Sequence, residues 1–281
     1  MRGPVWLLWP GLAYLAFFLW APTALVVAVS FARRDAYGAV RWEWNADNYV
    51  RMLDPLYLRI FAESAGLAAL CTLICLAVGY PLAYYISIQD KQRQRRWLFA
   101  IMMPFWINFL VRTYGWILLL QNQGVVNTAL RQLGWIERPL SLMYNPGAVL
   151  VGFVYTLLPF MILPIYVSLE QIDRKLFDAA ADLGASPARR FRHVTFPLTL
   201  PGTVAGCALV FVSALGLFVV SDLLGGSKTM LWSNLIQNQF LSARDWPFGA
   251  ALSVAMMLFS AAVVFAGYRL ARVRLGEGGI G

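Results

Sequence analysis

The sequence contains few charged residues and a single histidine, His193. Asp, Glu, Lys and Arg make up 13% of its 281 residues, whereas hydrophobic residues make up 60%. Soluble globular domains carry about 25% charged residues. So small a charged fraction excludes a soluble globular domain and indicates an integral membrane protein.

The residues that build metal sites, disulfide frameworks and nucleotide sites are also scarce. No carboxylate or cysteine stands at ligand spacing from His193, so we expect no metal site. The cysteines, Cys71, Cys75 and Cys207, are odd in number and lie in apolar runs, which excludes a disulfide framework and predicts a packing role. The phosphate-binding motif GxxxxGKS/T is absent, so ATP is not expected to bind this chain by that device.

Long apolar runs dominate the chain instead. A transmembrane helix needs about 20 predominantly apolar residues, and the roughly ten-residue alternating segments typical of membrane β-barrels do not occur. The first run is too long for a signal peptide, so we expect it to be retained. The sequence predicts an all-α integral membrane protein with six transmembrane helices, at residues 5–32, 61–88, 97–120, 148–169, 202–224 and 247–268.

Basic residues indicate how these helices are oriented. The net charge is +9, and Lys and Arg form short clusters between apolar runs, which favours membrane lipid over nucleic acid as a partner. Loops on the side of the two termini hold more Lys and Arg than the opposite loops, although Arg33 and Arg34 oppose this bias. The positive-inside rule therefore predicts that both termini are cytoplasmic.

Prolines fall inside several of the predicted helices, at Pro81, Pro104, Pro159 and Pro164. A proline removes a backbone donor and kinks or breaks a helix. Two interpretations remain open. Either these prolines only shape the packing of helices, or they mark broken helices that line a cavity.

One predicted cytoplasmic loop, residues 170–201, differs in character from the others. We expect two short helices in it: Asp173 can cap the first, Gly184 can end it, and Ser186 can cap a second that ends near Val194. An alanine-rich stripe on the first helix suits docking into a groove of a soluble partner. Arginines on the second helix do not indicate nucleic-acid binding, because membrane helices tether both ends of the loop and anionic lipid accounts for the charge.

The same loop resembles the E-A-A signature of permease subunits of bacterial ATP-binding-cassette importers. The matching residues are Asp178-Ala179-Ala180, Gly184 and Val194-Thr195-Phe196-Pro197. The resemblance implies one permease domain over residues 1–281, and an ATPase partner that binds ATP and magnesium in place of this chain. It also implies that the ATPase docks on Asp178, Ala179, Ala180, Gly184, Val194 and Pro197.

Much of the remaining chain resembles B-type permease subunits of bacterial spermidine/putrescine importers. This resemblance implies polyamine transport across the inner membrane, with a sister permease, an ATPase dimer and an extracytoplasmic polyamine-binding protein as partners. A permease for another small cationic or organic solute is the alternative. The similar stretches include residues 47–49, 53–57, 79–81, 104–106, 112–114, 157–161, 216–218, 220–223, 239–241 and 244–249.

A polyamine pathway needs groups that replace water around ammonium charges. Asp222 lies near the outer end of the fifth predicted helix, beside Phe218 and Ser221, and we expect it to face the pathway. The alternative is an interfacial carboxylate that caps a helix end or pairs with Lys228. Aromatic residues at helical spacing in a bundle are usually core residues. The candidates for a gate or cation–π surface are Trp106, Tyr114, Phe160 and Phe218.

Arg112 is the only basic residue inside a predicted transmembrane helix, one turn after Asn108. A cation at this position would repel a polyamine. We therefore expect Arg112 to pair with an acid and to hold two helices in register, and its role would be structural.

Two other classes of function fit the sequence less well. An ion-coupled secondary transporter would use buried ionisable relays, and charge inside the apolar runs is sparse. An enzyme acting on lipid would need a nucleophile, a base and an orienting acid, which do not occur at a recognisable spacing. We therefore predict a transport subunit, not an enzyme, that works by alternating access and draws its energy from a partner.

Overall fold

The computed structural model describes residues 9–35, 38–226 and 229–276, and within these ranges the chain is mostly helical. A 3-10 turn, Met103–Trp106, follows the fourth helix, and π-helical segments cover Phe191–Thr195 and Ser221–Gly225. Two short antiparallel strands, β1 (Arg33–Arg34) and β2 (Val40–Arg41), pair Arg33 with Arg41. The α-helices are α1 (Trp9–Ser30), α2 (Asp47–Met52), α3 (Pro55–Ser87), α4 (Lys91–Met102), α5 (Phe109–Leu120), α6 (Val125–Gln132), α7 (Pro146–Glu170), α8 (Arg174–Asp182), α9 (Pro187–Arg190), α10 (Phe196–Gly216), α11 (Phe218–Val220), α12 (Trp232–Leu241) and α13 (Trp246–Gly276).

Helices long and apolar enough to cross a membrane confirm the predicted fold class. There are five of them in the described ranges, or six if one bent pair is a single span. Exposure of apolar side chains to lipid explains why only a third to a half of most of these spans is buried within the chain. The five straight spans are Trp9–Ser30, Pro55–Ser87, Pro146–Glu170, Pro187–Gly216 and Trp246–Arg269.

The third predicted span, residues 97–120, is broken, in agreement with one of the two interpretations of Pro104. Two helical segments, Lys91–Trp106 and Phe109–Gln132, meet there at an angle of 91°. Pro104 lies in the 3-10 turn just before the bend, and the side chain of Asn108 accepts a hydrogen bond from the Leu110 amide at 2.9 Å to begin a new helix. A missing backbone donor on one side and a new N-cap on the other break the span.

The fifth predicted span, residues 202–224, is shifted. The second helix of the loop does not end near Val194 but continues through a π-helical turn into α10, so that one helix runs over Pro187–Gly216. It stops at Leu217, earlier than predicted, and no proline marks that break. Of the four prolines expected to disturb helices, only Pro104 adjoins a break. The helices run on through the other three, at Pro81, Pro159 and Pro164.

The chain divides into two compact units. The first comprises residues up to Ile60 and residues 234–260. In it, the Arg51 guanidinium donates to the Asp245 carboxylate at 2.8 Å and lies 4.0 Å from the centroid of the Phe248 ring. Burial lowers the pKa of Arg51, but hydrogen bonds with Asp245 and Tyr57 outweigh it and raise that pKa, so the side chain stays cationic.

The second unit comprises Phe61–Ser233 and the chain after Ser260. The pairing of α7 with α10 forms its centre, where Met161, Ile162 and Ile165 are almost fully buried. Gly206 makes this contact close, because an added Cβ would lie 3.0 Å from the Met161 sulfur. A Cβ at Gly202 would overlap the backbone of the opposing helix. Small residues of this kind allow membrane helices to pack closely.

Candidate functional site

The loop after α7 has the helix caps that its sequence predicts. The Asp173 carboxylate accepts from the Lys175 amide at 3.0 Å and begins α8, and the Ser186 hydroxyl accepts from the Arg189 amide at 3.4 Å and begins α9. Gly184 has a φ of +73°, a left-handed conformation that favours glycine, and ends α8 as expected. Both predicted helix starts are therefore confirmed.

An apolar face of α8 is left uncovered. Leu176 is 46% exposed and Leu183 is 87% exposed, and Ala179 between them is also exposed. Helical spacing places these three residues on one side of the helix, where the half-buried Ala180 adjoins them. Clustered apolar surface outside a membrane span marks an interaction site. Asp178 lies on the same helix, and the exposed Pro197 lies in the first turn of α10, two residues beyond the π-helical turn that contains Val194.

Packed contacts connect both ends of this loop to the long helices. At the far end, the Phe191 ring lies 5.7 Å from that of Tyr80 and 6.0 Å from that of Tyr84, measured between centroids. The Tyr80 hydroxyl hydrogen-bonds the Thr199 hydroxyl at 2.8 Å. The ring of Phe191 therefore connects the loop to α3, and a buried hydrogen bond connects α3 to α10.

The near end of the loop is fixed to α4. Lys91 forms an ion pair with Glu170 at the end of α7. One turn earlier, the Tyr166 hydroxyl donates to the buried side chain of Gln94 at 3.1 Å. These two contacts hold the start of α4 against the end of α7.

A second site lies where the helices are broken inside the apolar region. The segment Ser221–Gly225, which follows the break at Leu217, packs against α5 and α7. Gly152 of α7 permits this contact, because an added Cβ would lie 2.6 Å from Leu224. The Tyr144 amide also donates to the Leu224 carbonyl at 2.8 Å. The broken segment is therefore held in a defined position.

Asp222 lies on this segment and is exposed, while Ser221 is fully buried and donates its hydroxyl to the Phe218 carbonyl at 2.8 Å. The Phe218 side chain is half-buried. Lys228, the alternative partner that the sequence suggested for Asp222, lies outside the described residues.

The aromatic candidates do not form a single cluster. Phe160 packs edge-on against Phe105, with ring centroids 5.4 Å apart. Trp106 is 74% exposed and packs against Phe99 at 5.2 Å, and Tyr114 is 55% exposed. Phe160 therefore contacts the break near Pro104 through the ring of Phe105. The side chains of Trp106 and Tyr114 are mostly exposed.

Arg112 lies in the first turns of α5, directly after the bend. Within the described ranges no carboxylate lies at ion-pairing distance from it, so the acid partner expected from the sequence is not found there. Its guanidinium instead lies 5.2 Å from the Phe105 ring centroid and 5.9 Å from that of Phe109. Aromatic faces stabilise a desolvated cation in place of a carboxylate.

Two buried polar groups that follow the broken segment in the sequence were missed by sequence reasoning. The Thr229 and Ser233 hydroxyls are buried and have no hydrogen-bond partner within the described part of the chain. Buried hydroxyls of this kind are places for water or a polar ligand. The only signal in the sequence is their position just after Gly225-Gly226. Among the described residues, no group of His, Cys, Asp and Glu could hold a metal ion.

Known proteins resemble this chain along most of its length. Residues 77–274 match the model of a family described as binding-protein-dependent transport system inner membrane component. The chain is 42% identical over 260 residues to the spermidine/putrescine transport system permease protein PotB of Escherichia coli (strain K12). The aligned region covers 92% of this chain and 94% of that protein. Identity to the protein of the same name from Haemophilus influenzae is 41% over 257 residues, covering 92% and 90% of the two chains.

A solved structure shows the same fold. A chain of a bacterial alginate ABC transporter, crystallised in complex with an alginate pentasaccharide-bound periplasmic protein, superposes with a TM-score of 0.77. The match covers 95% of this chain and 94% of that one, at 16% sequence identity. Likeness at this level of identity concerns the fold alone.

Proposed function

Since the chain belongs to the family of binding-protein-dependent transport system inner membrane components, we propose that it imports polyamines, spermidine and putrescine. Family membership makes it a multi-pass permease subunit of the inner membrane and not an enzyme. The observation that carries the choice of substrate is its identity, over nearly the whole chain, to permeases named for spermidine and putrescine.

The assembly we propose contains a sister permease, an ATPase dimer and an extracytoplasmic polyamine-binding protein. ATP and magnesium are held by the ATPase dimer. The family description names a binding protein, and the alginate transporter of similar fold was crystallised with its own periplasmic protein. Both termini of this chain, like α8, lie in the cytoplasm, and lipid surrounds the exposed apolar helices.

The ATPase docks on the loop after α7. The exposed apolar face of α8, with Leu176 and Leu183, supports this assignment, because a groove on a soluble partner would cover it. Closure of the ATPase dimer on ATP moves α8, and the contacts of Phe191 and Glu170 carry that movement to α3 and α4. The docking residues are Asp178, Ala179, Ala180, Gly184, Val194 and Pro197.

The polyamine passes the broken segment after Leu217. An ammonium group that leaves water needs a carboxylate, an aromatic face or carbonyl oxygens. Asp222 and Phe218 supply the first two types of group, and the buried hydroxyl of Thr229, which lies beside Gly225, adds hydrogen-bonding capacity. Ser221, Trp106, Tyr114 and Phe160 complete the proposed pathway.

The test is the ATPase activity of the reconstituted complex. The binding protein is added empty or loaded with putrescine, spermidine or an amino acid. We expect a polyamine-loaded binding protein to stimulate hydrolysis, and the empty and amino-acid-loaded forms to leave it near its basal rate. Stimulation only by another solute would overturn the choice of substrate, and failure of any ATPase to copurify would overturn the proposed assembly.

A further inference from the structure

The turn between α3 and α4 forms a cleft that the transport mechanism does not use. Its volume is about 450 Å³, and it is open to the outside. Gln89 lies in the turn that joins the two helices, next to the end of the membrane span of α3 at Ser87. The cleft is lined by Tyr85, Gln89, Arg93, Arg96 and Trp97.

The two arginines of the cleft have spare hydrogen-bonding capacity. Arg93 and Arg96 stand one turn apart on α4, so both guanidinium groups reach the same space. Arg93 uses its Nε to contact the Asp90 carboxylate at 3.1 Å, which leaves its terminal amino groups available. For Arg96, no hydrogen bond or ion pair occurs among the residues that the structure describes.

These cations are not needed to hold α4 in place. The contacts that fix α4 to α7 come from Lys91 and Gln94, whereas the arginines that line the cleft make neither of them. The Asp90 side chain accepts from the Arg93 amide at 2.9 Å and caps the helix, so the helix N-terminus itself is occupied. The positive charge of the cleft therefore comes from the two side chains.

The apolar part of the cleft continues along the membrane span. Tyr85 is 48% exposed and Trp97 is 43% exposed, and their rings meet edge-on with centroids 6.1 Å apart. Towards the middle of the span, α3 exposes Pro81 and, by 48%, Val78, which lie one and two turns from Tyr85 on the same side of the helix. Tyrosine and tryptophan favour the boundary between headgroups and acyl chains. Two cations thus stand above an aromatic pair and an apolar strip.

We propose that this cleft binds the phosphate of an anionic phospholipid headgroup. Arginine guanidinium groups recognise phosphate by paired hydrogen bonds, and basic clusters beside membrane spans attract anionic lipid. The shared chemistry is a phosphate group, but soluble phosphate would use only the arginines. The lipid also covers the ring of Trp97 and the exposed strip of α3 with its acyl chains. This assignment does not depend on which solute the importer carries.

Native mass spectrometry of the full-length chain tests this site. The protein is purified in micelles that contain phosphatidylglycerol or phosphatidylcholine, and bound lipid is counted. We expect the wild type to retain phosphatidylglycerol in preference to phosphatidylcholine. The double variant Arg93→Gln, Arg96→Gln should retain roughly tenfold less phosphatidylglycerol, because each cation near the surface contributes to the attraction.

The matched control is Arg95→Gln, which removes the same charge from an exposed position of α4 that does not line the cleft. The single variant Arg96→Gln keeps the contact between Arg93 and Asp90 and guards against misfolding of the double variant. An equal loss in Arg95→Gln, or equal retention of both lipids by the wild type, would overturn the site. Displacement of the lipid by millimolar inorganic phosphate would show that the cleft binds soluble phosphate and would overturn the assignment to a lipid headgroup.

Discussion

At the scale of single residues, the polyamine proposal depends most on Asp222. We expect Asp222→Asn to raise the KM for spermidine uptake into proteoliposomes about tenfold, equivalent to about 1.4 kcal/mol. Asparagine keeps the size of the side chain but removes the charge that attracts an ammonium group. The conservative variant Asp222→Glu should restore most of the uptake, and assembly of the complex, followed by size-exclusion chromatography, should not change. Unaltered uptake by Asp222→Asn would remove this carboxylate from the pathway.

The contacts of Arg112 predict a structural role, as the sequence did, but through aromatic rings in place of an ion pair. Its cation–π contacts with Phe105 and Phe109 fix the bend before α5. We expect Arg112→Ala to lower the stability of the purified complex by about 1 kcal/mol, seen as a lower melting temperature in detergent. Arg112→Lys should lose less, because the charge remains.

The exposed Arg95 supplies the control for this measurement, since Arg95→Ala removes the same charge outside the bend. A variant at Arg112 that melted like the wild type but selected a different solute would contradict the structural role. It would place the guanidinium beside the substrate.

Residue identity alone predicted some parts of the site better than others. The caps formed by Asp173 and Ser186 could be predicted, because a cap depends on local spacing. The partner of Arg112 could not, because the groups that meet its side chain depend on the direction that the chain takes after the bend, which residue types do not reveal. The buried hydroxyls of Thr229 and Ser233 were missed for the same reason.

At the scale of helices and turns, the end of α8 offers a controlled test of docking. Gly184 and Gly134 have φ values of +73° and +72°, and an added Cβ would meet open space at both. A non-glycine residue in this conformation costs about 1 kcal/mol. Gly184→Ala and Gly134→Ala should therefore destabilise the chain to a similar extent.

Only one of these two variants should affect coupling. Relief of the strain at Gly184 would unwind the end of α8 and lower the docked population about fivefold. Stimulation of the ATPase by loaded binding protein should fall by that factor in Gly184→Ala and stay at its wild-type level in Gly134→Ala. Equal losses in both variants would show that the end of α8 has no special role in coupling.

The positions of the membrane helices were predicted more accurately than the places where these helices break. Hydropathy located every apolar run, because it measures how apolar a stretch is. It does not report whether a run is one helix: the break near Pro104 was one of two interpretations of that proline, its angle of 91° was not predicted, and the break at Leu217 was missed. The first is visible afterwards as a proline followed by a capping Asn108. The second has no proline, and the contact of Leu224 with Gly152, which comes from a distant helix, accompanies it.

At the scale of the whole molecule, the number of membrane crossings depends on the bent pair Lys91–Trp106 and Phe109–Gln132. The ion pair between Lys91 and Glu170 favours a crossing over a re-entrant loop. It places the start of α4 and the end of α7 on the same side of the membrane. With α7 taken as one crossing, we predict that the bent pair also crosses once, which predicts six crossings and both termini on the side of α8.

Reporter fusions test this topology. Alkaline phosphatase, which is active only outside the cytoplasm, should be active after Arg138 in the loop that follows α6, and inactive after Ile172 before α8. Green fluorescent protein, which fluoresces only in the cytoplasm, should fluoresce at the C-terminus, as the basic clusters at 91–96 and 189–192 require under the positive-inside rule. An inactive phosphatase at Arg138 would mean that the bent pair returns to its own side. The contact of Lys91 with Glu170 could not then coexist with a spanning α7.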